Sequence, residues 1–410
     1  MVVSLTSLLR QAFQFTSGCT EPAAIGLNAA VAGYYLEKEE PRLFEIEIDI
    51  LTYKNAFNAG IPNGEDEHGT IWAALYGYFT GRPDLKLEIF NGLDNTIVRR
   101  SHAFKESFDI RLKVIESPGL YIKTKIGTSQ GECEVVTQGS HLNVTSVLFN
   151  GRQAEIPWRQ TVDGSDEKKE EFILDESFFH DEYWEESVEK LSQDLTLMAK
   201  LRKGIEINLK AAEYGKRYDS STDDFGVAGA VFARMHGDTM PVMSVSGSGN
   251  KGLITIIPPA RYGLNTKASP ETTEKGALLA SLVTALITSK FGSVSSVCGG
   301  VYGAGTGALA GLLYIDGNLS LFFDAFKNYI SSICGVFCDG AKGSCAVKAS
   351  AAVIMAKRSI DLVNKGFTIN HKDGFLGDNF YHTVENLVRY NEHFTLFDKS
   401  TVEILQGKGC

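Results

Sequence analysis

Thirteen acidic side chains and three lysines stand between Asp163 and Asp194, and a segment so charged cannot be buried in an apolar core. The chain holds 50 acidic and 40 basic residues in all, so everything outside this stretch balances at 37 of each sign. Hydrophobic cores must therefore form on either side of it. At 410 residues the chain also exceeds one ordinary core. We expect an α+β domain over residues 1–165, an acidic connector over 166–194, and a mainly helical domain over 195–410 ending in a short tail. The charge run reads most simply as a solvated face.

Periodicity supports that division. Helical spacing runs over 5–15, 20–36 and 66–80, whereas 44–51, 110–115, 120–126, 132–137 and 143–149 alternate as strands between Gly or Pro turns. This is a mixed helix and antiparallel-sheet pattern, not a strict βαβ repeat. Beyond the connector, helical patterns cover 185–217, 275–290, 306–314, 319–334, 345–364 and 380–390, with one expected strand at 253–257.

The composition, 43% hydrophobic and 22% charged, is that of a globular protein. A net charge of −10 argues against nucleic acid or an anionic membrane as partner and favours a small molecule. The apolar run at 276–287 is shorter than the roughly 18–20 residues of a membrane span. Thr16-Ser17-Gly18-Cys19 imitates a lipoprotein cleavage site, but Arg10, Gln11 and Gln14 interrupt the apolar region such a signal needs. We expect a cytoplasmic protein. There, seven cysteines point to metal binding or catalysis in preference to disulfides.

Three cysteines lie in turns of small residues: Cys298 in Ser295-Ser296-Val297-Cys298-Gly299-Gly300, and the pair in Cys338-Asp339-Gly340-Ala341-Lys342-Gly343-Ser344-Cys345. Ser344 can cap a helix, which would put Cys345 in a first turn that favours a thiolate. Paired CxxC knuckles of a structural zinc site are absent. Three thiolates suit a 4Fe-4S cluster with one open iron, although buried structural thiols remain an equal reading of the spacing. Cys334 falls on the apolar stripe of its helix with Phe326 and Ile330 and is expected in the core, and Cys133 is an inert strand residue.

Cys19 precedes a helix start, Thr20-Glu21-Pro22, where a thiol's pKa is expected below its usual value of about 8.5. It reads either as a general base or as a small residue at a helix start. Ser246-Gly247-Ser248-Gly249-Asn250 offers hydroxyls, an amide and backbone N–H groups for a carboxylate or phosphate, or else an ordinary turn. Gly303-Ala304-Gly305-Thr306-Gly307 lacks the strand and the spacing of a dinucleotide fingerprint.

Taken in order, Gly18-Cys19-Thr20-Glu21-Pro22-Ala23, Lys54-Asn55 with Asn58 through Pro62, Ser246 through Asn250, Val297-Cys298-Gly299-Gly300 and Cys338 through Cys345 resemble the L-cysteine desulfidase family, a relative of the iron-sulfur L-serine dehydratases. The resemblance implies an oxygen-sensitive carbon-sulfur lyase that converts L-cysteine to hydrogen sulfide, ammonia and pyruvate without pyridoxal phosphate. It implies a 4Fe-4S cluster on Cys298, Cys338 and Cys345, and Cys19 as base; Cys410 on its Gly407-Lys408-Gly409 tether is similar instead to the C-terminal cysteine of some iron-sulfur serine dehydratases, which reaches the open iron, and otherwise reads as an ordinary disordered end. The substrate-binding set expected with it is Thr20, Glu21, Asn55, Ser246, Gly247, Ser248, Gly249, Asn250 and Lys342. A homodimer is left open.

Three other readings compete. An iron-sulfur L-serine dehydratase has the same parts and a hydroxyl leaving group. A non-catalytic iron-sulfur redox sensor would need the cluster alone. A pyridoxal-phosphate lyase would use Lys54 as its Schiff base.

Overall fold

Leu8, Leu9 and Ala12 form the buried stripe of a first helix, α1 (Leu5–Ala12). Phe13-Gln14-Phe15 then alternates and extends as β1 (Phe13–Ser17), so the helix expected to reach residue 15 stops early. The computed structural model describes residues 5–117, 119–158, 174, 176–292 and 294–408. The acidic connector up to residue 173, and Cys410 of the tail, lie outside the described residues.

Small residues buried on every side make α2 (Thr20–Tyr35) an interior helix. It lies against a six-stranded sheet of β2 (Leu43–Asp49), β3 (Arg111–Ile115), β4 (Tyr121–Gly127), β5 (Glu132–Gln138), β6 (Val144–Phe149) and β7 (Arg152–Gln153), in the order β3-β2-β4-β5-β6-β7. All pairs are antiparallel except β2 with β3. Register follows the alternation: Ile48 faces Ile122 and Ile126 faces Cys133, so their side chains share the covered face. Asn28 of α2 pins the helix to the sheet, donating to Ile122 O, Val135 O and Thr137 Oγ1 and accepting from Thr124 Oγ1. Between β2 and β3 run α3 (Ile50–Ala56), capped by the Asp49 carboxylate, then α4 (Thr70–Thr80) and α5 (Asn95–Ser107).

The second half is helical, with α6 (Trp184–Ser192), α7 (Leu195–Gly215) and α8 (Val227–His236), then β8 (Pro241–Val245), then α9 (Gly249–Thr266), α10 (Pro270–Phe291), α11 (Thr306–Ile315), α12 (Phe322–Ile333), α13 (Ser344–Asn364), α14 (Phe380–His393) and α15 (Thr395–Gln406). The fold is thus α+β, with an N-terminal sheet region and a helical C-terminal region. The strand expected at 253–257 is instead the interior of α9: Leu253, Ile254, Thr255, Ile256 and Ile257 are all buried, and a short run apolar on every face has no period to read. The strand in this neighbourhood is β8, which pairs antiparallel with β1, Phe13 opposite Val245. Cys334, expected in the core, is exposed, because α12 ends at Ile333 and the chain turns away from the stripe. Among the described residues no helix is long and apolar enough to cross a membrane.

Both chain ends cross over. Leu8, Leu9, Ala12 and Phe13 belong to the apolar core of the helical half, while Val402 and Leu405 of α15 join the core of the sheet half. Asp398 of α15 carries the crossing: it accepts from the fully buried Lys54 Nζ at 2.5 Å and from Ser296 Oγ. Breaking a buried ion pair from one side leaves an uncompensated charge in the interior, which costs about 3–5 kcal/mol. Asp398→Ala should lower the free energy of urea unfolding by about that amount. Lys54→Met with Asp398→Leu should recover most of it. A loss below about 1 kcal/mol for the single variant would mean that water reaches the pair.

Candidate active site

Cys19 stands in the N-cap position of α2, brought there by Gly18 at φ +74. A side chain at residue 18 would also collide with the Pro62 ring, 2.6 Å from a Cβ, so glycine is required on both counts. The Cys19 thiol is buried and donates to Glu21 Oε2 at 3.1 Å. Thr20 Oγ1 shares its proton between the same oxygen, at 3.0 Å, and Gly247 O, at 3.3 Å. Asn55 Nδ2, on the last turn of α3, donates to Glu21 Oε1 at 3.1 Å, and His141 Nε2 stands 3.9 Å from that oxygen.

These partners set the charges. Burial alone would raise Glu21, but His141 first and then the Cys19 hydrogen bond outweigh it and hold the carboxyl far below the usual range. Burial, reinforced by the Glu21 charge, raises the Cys19 thiol well above its ordinary value. The lowered pKa expected from the helix start is thereby overturned: burial of the thiol first, and then a full negative charge two residues away, outweigh the partial charge of the helix end.

Across the cavity the three other cysteines converge. An antiparallel bridge joins Val297 to Phe337, with Cys298 N donating to Val336 O at 3.0 Å and Cys338 N to Ser296 O at 2.7 Å. Cys298 O then accepts from Val301 N and Tyr302 N, opening a π-helical turn over Gly300–Gly305. Cys345 is the second residue of α13, which begins at Ser344 with Gly343 in the N-cap place, so the expected Ser344 cap does not form. Asn55 bridges the two sides, accepting from Cys338 Sγ at 3.6 Å through Oδ1. Gly340, at φ +105, presses on Lys54 O, 2.3 Å from a Cβ built there, and so seats the cysteine loop on α3.

One cavity of about 100 Å³ is lined by Cys19, Thr20, Glu21, Asn55, Ser248, Asn250, Cys298, Cys338 and Cys345, a volume on the scale of several waters. Ser246 and Gly247 line instead a neighbouring cavity of about 560 Å³ that shares Thr20, and Gly249 lines neither. Lys342 also stands off the cavity, its ammonium paired with Asp339. Burial would raise Asp339, yet Lys342 and Lys348 hold it at about 2. Lys54, spent on Asp398, does not line the cavity either, which removes the Schiff-base reading.

The donor set fits a cluster. Cys298, Cys338 and Cys345 are free thiols on one wall. Burial first and then the neighbouring thiols push Cys298 up to about 12, and burial raises Cys345. Crowded thiols of this kind ionise when a cation binds them. Among the described residues no group of three His, Cys, Asp or Glu is placed to hold a metal ion. A cluster, with an iron for each thiolate, takes its ligands from a wider circle.

Two basic residues of the cavity stand outside the set expected from the sequence. Arg234 of α8 is buried and donates to Asn250 Oδ1 at 2.9 Å and to Gly18 O, tying the Cys19 turn to the serine-glycine loop. Lys251, in the first turn of α9, is buried, and burial pushes it down to about 8 against the pull of Glu21, Cys298 and Cys338.

The model of the serine dehydratase alpha chain matches residues 116–394. That span includes the three clustered cysteines and the Ser246–Lys251 loop and leaves out Cys19, Glu21 and Asn55. The chain is 30% identical to a UPF0597 protein of Fervidobacterium nodosum, over 98% of this chain and 97% of that one. UPF0597 proteins of Desulfotalea psychrophila, 29% identical over 100% and 99%, and of Clostridium tetani, 30% identical over 90% of each chain, are similar throughout as well. No solved structure matches the chain.

Proposed function

This chain belongs to the serine dehydratase alpha-chain family, which makes it a lyase-type enzyme, and on that premise we propose that it is an iron-sulfur L-cysteine desulfidase of the cytoplasm, releasing hydrogen sulfide, ammonia and pyruvate. The observation that carries the reading is one small cavity with three free cysteines on one wall and the Cys19–Glu21 pair on the other. A redox sensor has no use for the second wall.

Thiolates at Cys298, Cys338 and Cys345 would hold a 4Fe-4S cluster, whose open iron supplies Lewis acidity for the departing sulfur. The rest is done by the chain. The serine-glycine loop, through Ser248 and Asn250, faces the substrate. In the ligand-free site Cys19 keeps its proton, donating it in a hydrogen bond to the Glu21 carboxylate, and a substrate ammonium arriving beside them lowers the thiol. With its proton released to water, the Cys19 thiolate takes the Cα proton, while the Glu21 carboxylate stays ionised beside the substrate ammonium. The Cα–H electron pair forms the new double bond, the Cβ–S bond breaks, and its electrons leave on sulfur. The 2-aminoacrylate so formed hydrolyses in water to pyruvate and ammonia.

The family's description favours a second reading, L-serine as substrate with the same residues and water as leaving group. The two are separated by measuring pyruvate anaerobically from L-cysteine and from L-serine at equal concentrations, with sulfide measured alongside. A higher kcat/KM for L-cysteine, with sulfide equal to pyruvate, is expected. Faster pyruvate from L-serine would assign the enzyme to dehydration.

A further inference from the structure

A substrate amino acid brings a carboxylate into a cavity that already holds one buried carboxylate, so the position of its counter-charge decides how it lies. Three basic groups face this region. Arg234 spends its two terminal nitrogens on Asn250 Oδ1 and Gly18 O, which fix the guanidinium against the Cys19 turn and leave only Nε without a partner. His141 faces Glu21. Among the described residues Lys251 Nζ has one hydrogen bond, to Thr288 Oγ1 at 3.4 Å, and no carboxylate within ion-pair distance. Its exposure is 4%, and a buried ammonium without an anionic partner is rare because the lost hydration must be replaced. The same fold shows the alternative in Lys54, equally buried and paired with Asp398.

Position agrees with charge. Lys251 lines the cavity together with Cys19, Glu21 and the three cysteines. Its Nζ lies 3.9 Å from where a Cβ on Gly299 would be, beside the Cys298 turn. Its own N–H bonds Ser248 Oγ, the N-cap of the 18-residue α9, which turns the start of that helix toward the same space. Glu21 is already satisfied by Cys19, Thr20 and Asn55 and has little need of this ammonium.

Resting on the amino-acid lyase reading, we propose that Lys251 is the substrate-binding residue that receives the α-carboxylate, and so restricts the enzyme to α-carboxylated thiols or alcohols. The contact orients Cα toward Cys19 and the side chain toward the three cysteines. It also places a cation where charge grows as the Cα proton leaves.

Two small thiols separate this role from a structural one: 3-mercaptopropionate has the carboxylate and no amine, and cysteamine has the amine and no carboxylate. Binding of each to the anaerobic full-length protein is measured by calorimetry, independently of turnover, for wild type, Lys251→Gln and Lys251→Arg. A charge-assisted contact is worth about 10- to 100-fold in affinity. Lys251→Gln should weaken 3-mercaptopropionate by that factor and raise the KM for L-cysteine, with cysteamine affinity unchanged, and Lys251→Arg should restore most of the loss. Equal weakening of both thiols, or no change in either, overturns the assignment. A wild-type protein that binds both thiols and eliminates nothing from L-cysteine or L-serine contradicts the lyase reading instead, and the affinity ratio still decides Lys251.

Discussion

Cys338→Ala, purified without air, is expected to be colourless, to hold little iron, and to release no measurable sulfide or pyruvate. Cys338 sits on the backbone bridge with Ser296, on the cavity wall, and in contact with Asn55, so its loss removes a ligand and loosens the link to Glu21 together. Changing an outer hydrogen-bonding partner of a metal site typically costs about 10–100-fold in affinity or activity, and loss of a ligand must exceed that. Cys298→Ala and Cys345→Ala should behave alike. Cys334→Ala, at an exposed position off the cavity, should keep colour and activity. If Cys338→Ala kept its iron and its turnover, the three-cysteine assignment would be wrong.

Cys19→Ala should divide the two walls of the cavity. Iron content and visible spectrum stay as in wild type, while kcat falls by about 10²–10⁴-fold, the usual contribution of a general base. Glu21→Gln should also lower turnover, because the negative charge that meets the substrate ammonium and accepts from Cys19 and Asn55 is lost. The pH profile gives an independent readout. Burial and Glu21 raise the Cys19 thiol in the free enzyme, so its base form grows only as pH rises beyond the ordinary thiol range. Once the substrate's own titrations are removed, kcat/KM should therefore climb into alkaline pH and kcat should level off earlier, since the bound ammonium lowers the thiol. A Cys19→Ala enzyme of full activity returns that residue to a small group at a helix start.

Much of this site was legible in the sequence, and the limits have physical causes. The strands near 120–149 could be read because one face is covered and the other polar, which leaves a period of two in the residues. The run at 253–257 could not, because α9 is buried on every side and its β-branched residues imitate a strand. Residues 13–15 read as the end of the preceding helix although Phe13-Gln14-Phe15 alternates, since their partner β8 lies more than two hundred residues away. The cysteine-bearing turns and the Cys19 turn carried local signals in their glycines and serines. Arg234, His141 and Asp398 carried none, because their roles arise only when distant elements bury them together. Lys251 had one available clue, its place three residues beyond the capping serine of the anion-binding loop. The direction of the Cys19 shift is not readable from spacing, because it comes first from burial of the thiol and then from the Glu21 side chain folding back onto it.

The central claim is a lyase whose activity depends on a cluster at Cys298, Cys338 and Cys345. Its most direct test follows iron, visible absorbance and L-cysteine turnover in one anaerobic preparation as air is admitted. The account expects a brown protein with about four irons per chain, whose absorbance bleaches and whose sulfide release decays together. A colourless, iron-free protein that turns over L-cysteine steadily in air would contradict it.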